Sequence, residues 1–299
     1  MMDFGSLITY LDNCNIKYDI NENTALLVSI RVGGLASIVA YPDTIEKLCR
    51  IIKFVNNKFK YFILANGTNT YFCDSFDGII ISTKNINNIK LDKNEIIAEC
   101  GASLTGCAVY AYEEGLSGLE FAYGIPGTLG GGIYMNASAF GGKISDVIKE
   151  CLVYDVDKES IYTLCNKNLN FSDKCSIFVK EKLIILKAVL TLDKGIKADI
   201  NKKMKTYMQK RISTQPLDIP NAGSAFKRPK GDYASRLIDE AGLKGYNVGD
   251  AQISKKHAGF IVNNGSASSS DINKLIKYIK NEIKNKFNVN LEEEIIYVE

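Results

Sequence analysis

The sequence predicts an α+β protein in two parts, and three features carry that reading. Short apolar, β-branched runs alternate with segments whose apolar positions recur at helical spacing, so neither an all-helical nor an all-strand chain fits. A glycine-dense stretch at 120–142, EFAYGIPGTLGGGIYMNASAFGG, breaks the alternation at a single place. Composition then turns polar and charged at 193–197, DKGIK, dividing the 299 residues into a larger and a smaller part.

In chain order, residues 5–13 form a short amphipathic helix and 36–41 (ASIVAY) a strand. Pro42 then introduces a helix, with Asp43 as the cap and Glu46 as its capping-box partner. Ile45, Leu48, Ile51, Ile52 and Val55 carry that helix on one face. A strand at 61–64 runs straight into Ala65-Asn66-Gly67-Thr68-Asn69. This tight turn offers amides and a hydroxyl that suit a phosphate, and it reads equally as a plain strand-to-strand turn. Strands at 78–82 and 95–100 precede a helix over 103–114, and after the glycine stretch come strands at 147–155, 160–164 and 183–192. The smaller part opens with a helix over 199–213, followed by a loop holding Pro216 and Pro220 and a helix over 233–241. Strands at 252–254 and 260–262, a long helix over 271–287 and a last strand at 295–298 complete it.

The glycine stretch holds Gly124, Gly127, Gly130, Gly131, Gly132, Gly141 and Gly142, a density that weakens any core element. It suits a backbone that must come close to something. Bare amides leading into a helix near Thr128 form an anion site, and a pyrophosphate is the natural guest. The interleaved Phe121, Ile125, Leu129, Ile133, Tyr134 and Met135 argue against a mere surface turn cluster. No G-x-x-x-x-G-K-[ST] and no strand-borne G-x-G-x-x-G is present, so the two commonest nucleotide loops are excluded.

Bulk properties exclude more. A net charge of +3 with scattered lysines does not make a nucleic-acid face. Eight cysteines without a C-x-x-C pair read as reduced small hydrophobes of a cytoplasmic protein. With His257 the single histidine, a zinc site is not expected, and His257 itself reads as structural. The N-terminal MMDFGSLITY carries an acid and no long apolar run, so no signal peptide is expected, nor any membrane span.

The motifs GLEFAYGIPGTLGGGIYMNASAFGG, LANGTN, AGSAFKRP, LIDEAGLKGY and KHAGFIVN stand together in this one chain. Together they resemble the flavin-dependent UDP-N-acetylenolpyruvoylglucosamine reductase family of peptidoglycan synthesis, from about Arg31 to the C-terminus. The short link between Ser176 and the strand at 183 resembles that family's compact form. The resemblance implies a vanillyl-alcohol-oxidase (PCMH)-type FAD-binding region of two subdomains over 1–195, and a smaller α+β substrate-binding domain over 196–299. It leaves room for the last strand to return toward the FAD region. It implies non-covalent FAD, NADPH as reductant, hydride delivery to the vinyl carbon of the enolpyruvyl ether, and protonation of the carboxylate-bearing carbon to give UDP-N-acetylmuramate. A monomer acting on a nucleotide-sugar, with no nucleic-acid partner, is expected.

Residue by residue, Ser224 in AGSAFKRP falls on the family's proton-donor serine. Glu294 falls on its C-terminal catalytic glutamate, with Glu292 and Glu293 preceding it in the same run. Implied flavin contacts are Asn66, Gly67, Thr68, Asn69, Gly124, Ile125, Gly127, Thr128, Gly131, Gly132 and Asn136, and implied substrate contacts are Lys227 and Arg228. The chain departs from the family on the substrate side. Asp173-Lys174-Cys175-Ser176 stands where the family has Y-R-x-S, so the catalytic arginine is Lys174, which keeps the charge without the planar fork. Thr214 replaces a substrate-binding lysine, and Ile296 a basic residue. These departures leave a reductase beside two alternatives: a flavin-binding paralogue with a lost or altered substrate, and a nucleotide-sugar-binding protein without redox chemistry.

Overall fold

The computed structural model describes residues 4–299. Two compact units emerge, each assembled from separate chain segments. The first comprises 4–20, 38–66 and 78–209, and the second 21–37, 67–77 and 210–299.

The first unit is built on a five-stranded antiparallel sheet in the order Ser160–Cys165, Ile148–Asp155, Leu183–Thr191, Glu95–Glu99, Ile89–Asp92. Alternate residues of Leu183–Thr191, among them Leu186, Ala188 and Leu190, are buried, as the two-residue period of a one-sided sheet requires. The helix Leu104–Glu113 is capped by Ser103, whose hydroxyl accepts from Gly106 N at 3.2 Å. A shorter helix, Leu129–Tyr134, is capped in the same way by Thr128, as the sequence predicts. The strand Tyr61–Leu64 pairs in parallel with 79–82 of the strand Ser75–Ser82 and delivers the chain to the turn at 65–69.

One helix start differs from expectation. Thr44, not Asp43, caps the helix Ile45–Val55, its Oγ1 accepting from Lys47 N at 3.2 Å. The Asp43 carboxylate instead meets Lys47 Nζ at 2.9 Å, and Glu46 pairs with Arg50 one turn on. Thr44 is in the extended conformation that a cap needs (φ −136°, ψ 156°).

The second unit holds a four-stranded antiparallel sheet ordered Asn221–Ser224, Phe260–Asn263, Ala251–Ile253, Asn247–Val248. The long helix Ser269–Phe287 covers it with Ile272, Leu275, Ile276, Ile279 and Ile283, an apolar stripe on a helical period. A Ser268–Asp271 capping box begins that helix, and Asn288 ends it in the left-handed conformation. The last strand, Ile296–Val298, pairs in parallel with Thr70–Phe72, which follows directly on the 65–69 turn. The pairing is fastened by the stacked rings of Tyr71 and Tyr297, 4.9 Å apart, and by Tyr71 Oη donating to Asn273 at 2.7 Å. Among the described residues no helix is long and apolar enough to cross a membrane.

Candidate active site

The glycine stretch has a different physical role from the one its composition suggests. Every amide of the first helical turn is engaged inside the first unit. Leu129 N–H donates to Ala102 O (2.7 Å), Gly130 N–H to Cys100 O (2.8 Å), Gly131 N–H to Thr128 Oγ1 (3.2 Å) and Gly132 N–H to Thr128 O (2.8 Å). Gly124 N–H donates to Thr105 Oγ1 at 3.1 Å, and Ile125 N–H to Ala122 O at 3.0 Å. The amides of Gly124, Gly131 and Gly132, expected to be bare, are thus engaged, as is that of Ile125, expected only to line the pocket. Among the described residues the amides of Gly127 and Thr128 make no hydrogen bond.

The glycines serve close packing instead. A Cβ on Gly130 would lie 2.9 Å from Cys100 O, and one on Gly132 2.9 Å from Leu104 Cδ1. At Gly142 it would lie 2.7 Å from the Phe121 ring. Gly130→Ala should thus cost roughly 1–3 kcal/mol of stability by forcing the helix away from the sheet, read as a lower urea midpoint. Unchanged stability with weakened flavin binding would return these glycines to the ligand.

Asn136, expected to line the flavin pocket, is engaged within the first unit. It is 5% exposed and left-handed (φ 45°), with Nδ2 donating to Ser172 O at 3.0 Å and Oδ1 accepting from Ser145 N at 3.1 Å. Its side chain braces the turn that carries Lys174. That turn closes with Ser172 N donating to Cys175 O at 3.0 Å, with Lys174 at its tip (φ 53°), and Ser176 Oγ donates to Tyr134 O at 2.6 Å. The turn of Lys174 is thereby tied on both sides to the last residue of the glycine helix and the chain just after it.

The 65–69 turn is the better anion cradle. Among the described residues the amides of Asn66, Gly67, Thr68 and Asn69 make no hydrogen bond, and no acid lies in the stretch 64–70. In the first unit Asn66 Nδ2 donates to Pro126 O. In the second, Gly67 adopts φ 64°, and a Cβ there would meet Leu27 O at 2.3 Å. Ser29, which the sequence reading did not single out, braces this turn. Its N–H donates to Gly67 O at 3.0 Å, and its Oγ to Asn221 O at 2.6 Å. No local pattern links residue 29 to 67 or 221, so only the fold could reveal it.

Ser224 and Glu294 come together in the second unit. Asn221 holds the bend before Ser224, donating through Nδ2 to Pro216 O and Ile219 O and accepting from Gly223 N at 3.0 Å. A bulge with Gly223 at φ 75° brings Ser224 opposite Phe260. Across from it, Glu294 N–H donates to Ala225 O at 2.9 Å, and Lys227 N–H to Glu292 O at 2.8 Å. Asn69 completes the junction, its Nδ2 donating to Glu294 O at 2.8 Å and its carbonyl accepting from Ile296 N at 2.9 Å.

Of the three consecutive glutamates, Glu292 and Glu293 are exposed and face Lys227 (3.4 Å) and Lys280 (2.8 Å), while Glu294 is half-buried. The Ser224 hydroxyl is half-buried and makes no hydrogen bond among the described residues. Arg228 stacks on Tyr233 at 3.9 Å and donates to Asp232 O at 3.2 Å. Thr214 ends its helix with its hydroxyl on Lys210 O, and Ile296 pairs with Thr70.

Comparison with known proteins shows the family this chain resembles. Residues 215–298 match the family model described as UDP-N-acetylenolpyruvoylglucosamine reductase, C-terminal domain, and residues 36–163 match that of an FAD binding domain. A protein of Pseudothermotoga lettingae named UDP-N-acetylenolpyruvoylglucosamine reductase is 46% identical over 95% of this chain and 98% of its own length. One of the same name from Caldanaerobacter subterraneus is 42% identical over 93% of each. The crystal structure of UDP-N-acetylenolpyruvylglucosamine reductase from Thermus caldophilus is similar with a TM-score of 0.80 at 28% identity, covering 95% of this chain and 99% of that one.

Proposed function

The chain belongs to the UDP-N-acetylenolpyruvoylglucosamine reductase family, and from that premise we propose which of its residues perform the reaction. It is a flavoprotein oxidoreductase of peptidoglycan precursor synthesis that reduces UDP-N-acetylglucosamine enolpyruvate to UDP-N-acetylmuramate with NADPH. Its place there makes it a protein of cell-wall biogenesis, and so of cell shape and division.

The residues fit FAD. A diphosphate needs unengaged N–H groups, which the 66–69 turn supplies. The amides of Asn66, Gly67, Thr68 and Asn69 would hold it non-covalently. In the first unit, among the described residues, Gly127 and Thr128 also have unengaged amides, whereas Gly124, Ile125, Gly131 and Gly132 do not. When bound, FAD supplies the hydride, having taken it from NADPH.

What remains for the protein is charge and a proton. Hydride addition to the enol ether leaves negative charge on the carbon beside the carboxylate, which must be stabilised and then protonated. Ser224 delivers the proton. Glu294 acts with it, and the Lys174 ammonium offsets the growing charge, as a point charge rather than a bidentate clamp. Lys227 and Arg228 bind the anionic nucleotide-sugar. The observation that carries this reading is the bond from Glu294 N–H to Ala225 O at 2.9 Å, which fixes the glutamate beside the chain segment of Ser224.

In this division of labour residues 1–195 serve FAD, with Lys174 turned to the substrate's charge, and 196–299 serve substrate. The eight free cysteines suit a reducing, cytoplasmic compartment. Every role falls on one chain, in keeping with a monomer, which light scattering checks. The experiment for the reading as a whole is turnover: purified protein, NADPH and the enolpyruvyl UDP-sugar should give UDP-N-acetylmuramate, one per NADPH oxidised. Flavin-bound protein that leaves that sugar unreduced would point to a paralogue with another substrate.

A further inference from the structure

His257, assigned no role so far, lies at the far end of a hydrogen-bond chain leading to both proposed catalytic residues. Its ring stands edge-on to Phe260 at 4.8 Å and over Gly259, where any side chain would meet it at 3.1–3.2 Å. Gly259 N–H donates to His257 Nδ1 at 3.1 Å, which requires that nitrogen to be unprotonated. Gly259 C=O accepts from Ala225 N–H at 2.9 Å, and Ala225 C=O accepts from Glu294 N–H at 2.9 Å. Glu294 C=O in turn accepts from Asn69 Nδ2 at 2.8 Å. Ser224 sits at the bulge between the first two of these steps, paired with Phe260.

We propose that His257 is a positioning residue of the reductase, its neutral imidazole holding the Gly259 peptide that sets the spacing of Ser224 and Glu294. The proposal rests on the roles given above to those two residues. Bonded peptides in series polarise one another, so loss of the acceptor at one end loosens the next link. Protonation of Nδ1 would set an N–H against the Gly259 N–H, and the link must break.

The charged groups around the ring are few. Asp239, on the helix Ala234–Glu240, favours its protonation, and Lys244, on the following turn, opposes it. Those two pair with each other at 2.6 Å. On the histidine's own turn, Lys255 packs against Gly245, and Lys256 Nζ donates to Ile212 O at 2.6 Å. Burial, the largest influence, holds the imidazole below its ordinary pKa, so the neutral form prevails at neutral pH and is lost only as the solution turns acid.

The test uses the FAD-loaded protein, reduced by NADPH and then mixed with the enolpyruvyl UDP-sugar between pH 5 and 8. His257→Asn keeps an acceptor where Nδ1 lies but cannot titrate, whereas His257→Leu keeps bulk without an acceptor. At neutral pH, His257→Leu should slow flavin reoxidation by about tenfold with its reduction by NADPH unchanged, and His257→Asn should run near the wild-type rate. Toward the acid end of that range the wild type should slow while His257→Asn does not. An acid limb identical in wild type and His257→Asn overturns the proposal, as does wild-type reoxidation in His257→Leu. If His257→Leu fails to hold FAD, the His257→Asn profile decides alone. Ser224→Ala separates the two readings. Fast reoxidation there would remove the proton donor itself, whereas slow reoxidation there with a normal rate in His257→Leu would remove only the role of His257.

Discussion

Ser224→Ala is expected to take up FAD and be reduced by NADPH at the wild-type rate, yet to pass its electrons to the enolpyruvyl sugar about 10²–10⁴-fold more slowly. The asymmetry follows from where the hydroxyl acts. Reduction of the flavin requires no proton from Ser224, whereas addition to the vinyl ether leaves a carbanion-like centre that must be protonated before product can leave. The half-buried hydroxyl has no partner to lose, so its removal leaves no buried polar group stranded and the fold should hold. Stopped-flow absorbance of the two half-reactions separates the cases. Loss of flavin from the variant would make Ser224 a structural residue.

Gly67→Ala should be the most damaging change to cofactor binding. An alanine at φ 64° costs about 1–2 kcal/mol in backbone conformation alone, and here its Cβ would also stand 2.3 Å from the carbonyl of Leu27. A backbone carbonyl cannot swing aside as a side chain can, so the turn itself must move. That displaces the amides of Thr68 and Asn69, and through Asn69 Nδ2 the backbone of Glu294. FAD affinity should fall at least about tenfold, equivalent to 1.4 kcal/mol, in a titration of the deflavinated protein followed by flavin fluorescence. Stoichiometric FAD at unchanged affinity would show that the diphosphate lies elsewhere.

The contrast between the two glycine-bearing segments shows where sequence reasoning reached its limit. Both were legible as loops of special backbone, and a helix start near Thr128 was legible too. Which one kept its amides bare was not, because the partners of Gly130 and Leu129 are carbonyls of Cys100 and Ala102, a strand end that local spacing does not place there. Asp43 and Thr44 are both good caps, and the choice fell to Thr44 as Asp43 met Lys47. The pairing of Ile296–Val298 with Thr70–Phe72 joins the chain's end to an early segment, and no periodicity announces a parallel pair so distant. Ser224 and Glu294 were legible only through motif resemblance. Asn69 was named for its amide, and its side-chain grip on Glu294 O became visible only in the fold.

The central claim is that this chain reduces an enolpyruvyl nucleotide-sugar with Ser224 as the proton's last stop. The wild-type half-reaction in deuterated solvent, the control for Ser224→Ala, tests it most directly. Reduced protein mixed anaerobically with that sugar should reoxidise within one turnover and release UDP-N-acetylmuramate carrying a solvent deuteron on the carbon beside the carboxylate. Flavin that stays reduced in its presence, or product without that deuteron, would contradict the account.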